Sequence, residues 1–505
     1  MTRAITSTDS LTGSLLEQTT SRRPARWRGA LRAGAGAALA GLLVLAARAE
    51  RFDAASFDLG AARNAGDLAA VVLPRERVAH GITVREVQFT SRVWDRWGRW
   101  RPMRIQAFLA VPPGSYPRRS KPIVITAHGL GARGTPEAAA ELCRNLDVVA
   151  LALSAPGVGA SEGDGVTADD ARPLFATVPD VRGSWLYAYT YALLRAITFA
   201  QQQPEADPRA VVLTGNSIGG IATLVANGVD DRIRGVLAVS TSGALGEATA
   251  QGSWLRRLVL STGGLEAEGP EARALFRGLD PLAFAGRQRG VVFLLIGAQD
   301  EFFPLGQALA TYRALRAPAK SLTLVADYDH GWYFGQGCPA ACMPGGARRP
   351  AECPGATVCP RRCPAGAQTP YCGPEGSYNH HDAFIGRWSV LLRALVAQHA
   401  AHPRRPFAAP PPAPVVERRD DEVVVRVMGP MPLAVRLAVS EDGGFTYRQR
   451  VLAREADGSY RLRRRVSGSA ILFAEVELPD GVVASSSPSL PWGFRPRVRP
   501  FRPLP

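Results

Sequence analysis

The sequence predicts an α/β domain, a mostly parallel eight-stranded sheet flanked by helices, followed by a small C-terminal all-β sandwich. Three observations predict it. Short, nearly continuous apolar runs alternate with helix-period segments up to about residue 400, as expected of strands covered on both faces. The stretch "AHPRRPFAAPPPAP" (401–414) then interrupts the pattern with an extended, proline-rich linker. Beyond it only short strands remain, separated by "EDGG", "ADG" and "PDG" turns. A chain of 505 residues is too long for one ordinary core, and an apolar content of 46% argues against general disorder.

Taken in order, residues 1–49 have the form of an export signal. Arg22, Arg23, Arg26, Arg28 and Arg32 precede the uncharged run "AGAGAALAGLLVLAA" (33–47), and "ARA" ends at Ala49. Fifteen helical residues reach only about 22 Å, short of the roughly 30 Å hydrocarbon core. Cleavage and release are therefore expected, with anchoring through residues 33–47 as the alternative. Residues 50–80 read as a lead-in with some helix. "VREVQF" and "RIQAFLAV" alternate in period two around "DRWGRW" and predict an antiparallel hairpin. Six buried strands follow: "PIVITA", "VVALAL", "AVVLTG", "GVLAVS", "VVFLLIG" and "SLTLVA". Helices are expected at 184–203, 306–317 and 381–399, and the long segment 243–289 sits where a cap would be inserted. The α/β unit spans 81–400, the linker 401–417, the β-sandwich 418–492 and a tail 493–505.

The formal charge of +16 does not indicate a nucleic-acid partner. Every cation except Lys121 and Lys320 is arginine, and the arginines are scattered rather than gathered on one face. Residues 1–49 hold seven arginines and two acids, which leaves +11 on the remainder.

The chemistry concentrates at strand ends. "AVVLTG" runs into "GNSIGG", so Ser217 occupies the centre of G-x-S-x-G with a helical run after it. A serine on such a strand-to-helix turn stands above the sheet as a nucleophile, with Gly215 and Gly219 relieving crowding. The N–H of Ile218, at the helix start, suits stabilisation of an oxyanion. A second donor is expected from Leu130 in "AHGLGARG", with His128 bracing that loop. A serine needs a base, and the base needs a group to fix its tautomer. "IGAQDEFFP" supplies Asp300 and "YDHGW" supplies His330, in the chain order Ser217, Asp300, His330. Glu301, Asp327 and Asp329 are rival acids; Asp300 is preferred for its place one turn after the strand.

On "AHGLG", "PEADPRAVVLTGNSIGG", "IGAQDEFFP" and "YDHGW", residues 84–400 resemble the α/β-hydrolase superfamily, nearest to its acetyl-xylan-esterase and dienelactone-hydrolase-like esterases. "SAPGVGASEG" (154–163) looks like the Gly-rich loop these enzymes carry after the fourth strand. The resemblance implies the α/β-hydrolase fold, a serine nucleophile and no cofactor or metal. The chain departs from the pattern in two places: about 50 residues separate the histidine loop from the last helix, and a β-sandwich is appended.

Those intervening residues include a cysteine-rich insertion (335–378). Cys338, Cys342, Cys353, Cys359, Cys363 and Cys372 hold no C-x-x-C pair, and their even number in an exported chain points to three disulfides with 15 possible connectivities. The insertion springs from the His330 loop, so either it rims the site or it is a rigid surface appendage. His380 and His381 face different ways on a helix, which argues against a shared metal. Cys143 reads as a buried free thiol.

The resulting expectation is an exported serine hydrolase cleaving a small-molecule or carbohydrate ester through an acyl-enzyme. The alternatives are a serine peptidase of the prolyl-oligopeptidase type, which lacks room here for its usual propeller, and a non-catalytic envelope binding protein.

Overall fold

The computed structural model describes residues 52–167, 170–260, 265–326, 328–330, 380–401, 412–444 and 447–494. The segment 1–49 and all six cysteines of the insertion lie outside the described residues.

The central sheet has nine strands: β1 Val71–Ala79, β2 Ile82–Trp94, β3 Trp100–Ala110, β4 Lys121–Ala127, β5 Val149–Leu153, β6 Ala206–Asn216, β7 Ile233–Val239, β8 Val291–Gly297 and β9 Lys320–Val325. Their spatial order is β1-β2-β3-β5-β4-β6-β7-β8-β9. β1, β2, β3 and β5 pair antiparallel in turn, and every pairing from β5 through β4 to β9 is parallel. Eight of these strands are the expected ones. Residues 50–80 hold the expected helix at Ala54–Phe57 and Leu59–Arg63, but the ninth strand, β1, was not foreseen there. It is an edge strand whose Val71, Val72 and Val78 stay exposed, so it carries no burial pattern to betray it.

Apolar runs became two-sided strands because alternate side chains serve different cores. Val211 and Leu213 of β6 enter one cluster with Ile123 and Ile125 of β4, while Val212 and Val124 enter the other. Helices Trp185–Gln201 and Ile218–Val229 cover the first face, and Pro136–Leu146 and His380–Ala401 the second. Residues Trp185 to Ala200 are buried all round, and even Arg195 is inside. Its guanidinium donates to the carbonyls of Ala61, Ala62, Asn64 and Thr90 and pairs with Asp67 at 2.6 Å. The lead-in is thereby tied to the sheet.

The C-terminal strands form two sheets. β10 Val415–Arg418, β11 Val423–Arg426 and β14 Tyr460–Leu462 make one; β13 Arg448–Val451, β12 Ala434–Ser440, β15 Ile471–Glu477 and β16 Val483–Ser485 make the other, in that order. Six strands match expectation. β10 corrects the placement of residues 415–417 in the linker, since Val415↔Arg426 to Arg418↔Val423 is a regular antiparallel register.

The sandwich does not hang from its linker. It belongs to the same compact unit as the large sheet. The Thr323 hydroxyl donates to the Val483 carbonyl at 2.7 Å, and the Leu324 N–H donates to Ser485 Oγ at 2.9 Å, so β16 lies along β9 and covers the open sheet edge. Behind them Arg387 forks onto Glu475 at 3.2 and 2.9 Å and donates to the Leu324 carbonyl.

Candidate active site

The site grows from the carboxyl ends of β4, β6, β8 and β9, on either side of the point where strand order reverses. β6 ends at Asn216, and the helix begins at Ile218. Ser217 between them holds φ 55° and ψ −123°, a backbone conformation rare for any residue with a Cβ. The turn can be this sharp because its neighbours lack side chains. A Cβ on Gly219 would stand 2.3 Å from the Ala127 carbonyl oxygen, and one on Gly215 would stand 2.4 Å from that of Gly219. The Ser217 N–H is held by the Val239 carbonyl at 2.9 Å.

After β8 the chain turns at Gly297, and Asp300 is fully buried. Its Oδ1 accepts the N–H groups of Phe302 and Phe303 at 3.0 and 2.8 Å, which leaves Oδ2 for the imidazole. His330 Nδ1 donates to Asp300 Oδ2 at 2.9 Å, and His330 Nε2 lies 2.9 Å from Ser217 Oγ. A carboxylate can only accept, so Nδ1 carries the proton and Nε2 is free to take one from the serine hydroxyl. The rings of Phe302 and Phe303 lie 4.6 and 5.5 Å from the imidazole.

The rival acids occupy other places. Glu301, one residue from Asp300, accepts the backbone N–H of His330 through Oε2 at 3.1 Å and does not reach the ring. Burial, with the charges of Asp329 and Asp300 beside it, pushes the Glu301 carboxyl well above the usual range. Asp329 is buried as well, and Asp327 lies outside the described residues. Sequence reasoning did not foresee that Glu301 would grip the histidine from its backbone side.

Leu130 and Ile218, the two expected oxyanion donors, border one cavity with Ser217 and His330. Ile218 opens its helix, so its N–H is among those without an intrahelical acceptor. His128 braces the Leu130 loop as expected: Nδ1 donates to the Gly129 carbonyl at 2.8 Å, and Nε2 accepts the Ala155 N–H at 3.0 Å. Burial holds its pKa down, which keeps Nε2 available as an acceptor. Cys143 is buried and free, with its thiol pushed up to about 12 by burial.

Strand order, the strained Ser217 turn and the in-line Ser217–His330–Asp300 contacts identify the architecture. The chain has an α/β-hydrolase fold. No protein-family model matches it, and no curated protein does. Solved structures similar to it include an acetyl xylan esterase from Paenibacillus sp. R4, 21% identical over 56% of this chain and 89% of that one, with a TM-score of 0.45. Acetyl xylan esterase 1 from a Thermoanaerobacterium species is 17% identical over 55% and 88%, also at 0.45. An acylaminoacyl peptidase from Pyrococcus horikoshii is 15% identical over 51% and 45%, at 0.36.

On this α/β-hydrolase fold the segment 243–289 forms helices Leu245–Ala250, Trp254–Leu260, Pro270–Gly278 and Pro281–Phe284. Its residues Leu245, Leu255, Leu275 and Phe276 line a cavity with Ser217, and its two ends are clasped by one side chain that the sequence did not single out. Asp280 accepts the N–H groups of Ala244, Leu245 and Leu282 at 3.0, 2.7 and 2.8 Å. Burial pushes its carboxyl up to about 6, against the pull of those donors. The folded state therefore holds the Asp280 proton to higher pH than the unfolded chain, and this contribution to stability is lost as pH rises from about 4 through 6. Asp280→Asn is expected to flatten the decline of the thermal midpoint across that window; an unchanged profile would assign the decline to other groups.

Proposed function

We propose that this protein is a serine hydrolase that cleaves carboxylic esters through an acyl-enzyme. The observation that carries the reading is the pair of 2.9 Å contacts linking Ser217 Oγ to His330 Nε2 and His330 Nδ1 to Asp300, at the floor of a cavity. His330 takes the Ser217 proton as Oγ bonds to the ester carbon. The negative charge that develops on the carbonyl oxygen is received by the N–H groups of Ile218 and Leu130, the first aligned with the helix dipole. As the tetrahedral adduct collapses, His330 gives its proton to the departing alcohol. Water then repeats the sequence on the acyl-Ser217 bond, losing a proton to His330 and releasing the acid. Asp300 holds the imidazole in the tautomer this needs and stabilises its charged form. No metal or organic cofactor enters these steps.

The Arg-rich segment ahead of an apolar run and "ARA" supports export of the mature chain, and with it an oxidising setting in which the six clustered cysteines pair. The hydrolase reading is tested with a fluorophosphonate probe. Stoichiometric labelling at Ser217, lost in Ser217→Ala, is expected; folded protein that stays unlabelled would refute the reading.

A further inference from the structure

We propose that the ester's acyl group is apolar and of about six to eight carbons, and that it is bound in the cavity between Ser217 and the cap. The inference rests on Ser217 acting as the nucleophile and adds the substrate class.

The cavity has a volume of about 210 Å³. Its described walls carry polar side chains only at Asn216, Ser217 and His330; everything else is glycine, aliphatic or phenylalanine. Dry apolar cavities of about 150 Å³ admit a benzene ring, so this one has room for such a ring and about two carbons more. An acetyl group would leave most of it empty. A sugar acyl or other hydroxylated group would place its hydroxyls against hydrocarbon, and each one left without a partner costs about tenfold in binding.

The chemistry says which half of the ester goes there. The departing oxygen takes its proton from His330 Nε2, so the alcohol lies on the side of His330 and Phe302. The acyl group takes the rest of the cavity, which Ile221, one turn along the helix that starts at Ile218, lines together with Leu186, Leu255, Leu275 and Phe276. These walls are tied in place. The Thr177 hydroxyl donates to the Glu271 carbonyl at 2.7 Å at the start of the cap helix Pro270–Gly278, and Asp280 clasps the cap at its root. Each methylene that leaves water for such a wall contributes about fourfold to kcat/KM, up to the point where the cavity is full.

The test uses the full chain and p-nitrophenyl acetate, hexanoate, octanoate and palmitate. A rise in kcat/KM of at least about 30-fold from acetate to hexanoate or octanoate, and a fall at palmitate, is expected. Leu255→Trp shortens the cavity and should lower the octanoate-to-acetate ratio at least tenfold, whereas Phe276→Ala should move the optimum to a longer chain. Ethyl hexanoate should be cleaved faster than hexyl acetate; the reverse order overturns the acyl placement. A flat series, or one led by acetate, overturns the inference and leaves the hydrolase reading standing. Binding without turnover separates the two in the other direction. The thermal midpoint of Ser217→Ala protein should rise with p-nitrophenyl hexanoate and not with the acetate. That shift in a chain whose wild type cleaves no ester would retain the cavity assignment and remove the hydrolase, and absence of the shift counts against the cavity.

Discussion

Ser217→Ala is expected to reduce ester hydrolysis by about four to six orders of magnitude without altering the fold. Among the described residues Ser217 is the only group placed to bond to the carbonyl carbon, and once it is gone the remaining N–H donors and the cavity provide only the residual catalysis that such sites retain, about 10³–10⁴ over water. His330→Ala should cost about as much, because an unassisted hydroxyl is a poor nucleophile. Asp300→Asn is the more informative change. Its amide would donate to Nδ1 in place of accepting from it, driving the imidazole proton to Nε2, where it blocks transfer from Ser217. A loss of about 10⁴ in kcat is expected with the geometry intact. The three effects should not add, since the residues act as one unit. Measuring kcat/KM on p-nitrophenyl hexanoate alongside the thermal midpoint checks this. Asp300→Asn protein retaining more than a tenth of wild-type activity would reassign the acid, with Glu301 next in line by position.

The second large effect concerns stability. Arg387 is buried on helix His380–Ala401 and forks onto fully buried Glu475 of β15, while also donating to the Leu324 carbonyl of β9. The three elements come from the last helix of the large domain, the edge of its sheet and the middle of the sandwich. Removing either partner strands a charge in a low-dielectric interior, at about 3–5 kcal/mol. Arg387→Ala should therefore lower the unfolding free energy by that amount, read by urea denaturation followed through tryptophan fluorescence. The double change Arg387→Met, Glu475→Leu should recover most of the loss, because two well-packed apolar side chains leave no uncompensated charge. If the single variant unfolds in two separate steps, with the large domain unaffected, the sandwich is an independent appendage and the shared interface is of little consequence.

The expected result for Arg387 illustrates what the sequence left hidden. Within "HDAFIGRWSVLLRALVAQH" it looks like an ordinary exposed helix arginine, and its carboxylate partner stands 88 positions further on. The same limit explains the missed edge strands. Among the described residues β1 has one strand neighbour and keeps valines in solvent, and β10 begins directly after a run of prolines, so neither shows the buried alternation that marks a strand. Asp280 was invisible for a related reason: its three backbone partners lie at both ends of an insertion, and only closure of the cap brings them together.

Other parts were legible because their physics is local. A strand leading through Gly-x-Ser-x-Gly into a helix has few conformations available, so Ser217 and Ile218 could be placed from spacing alone. His330 followed from its position just past the last strand. The choice between Asp300 and Glu301 was closer, since adjacent residues in one loop share every sequence signal.

The amino-acid order by itself determined the three-layered α/β core, the all-β appendage and the strand ends where Ser217, Asp300 and His330 stand, because apolar period and turn chemistry act over a few residues. The tertiary structure decided which carboxylate meets the imidazole, how the cap helices line an apolar cavity beside Ser217, and that the sandwich seals the edge of the sheet. Each of those depends on groups tens to more than a hundred residues apart, whose contact becomes favourable only when the folded chain has removed both from water.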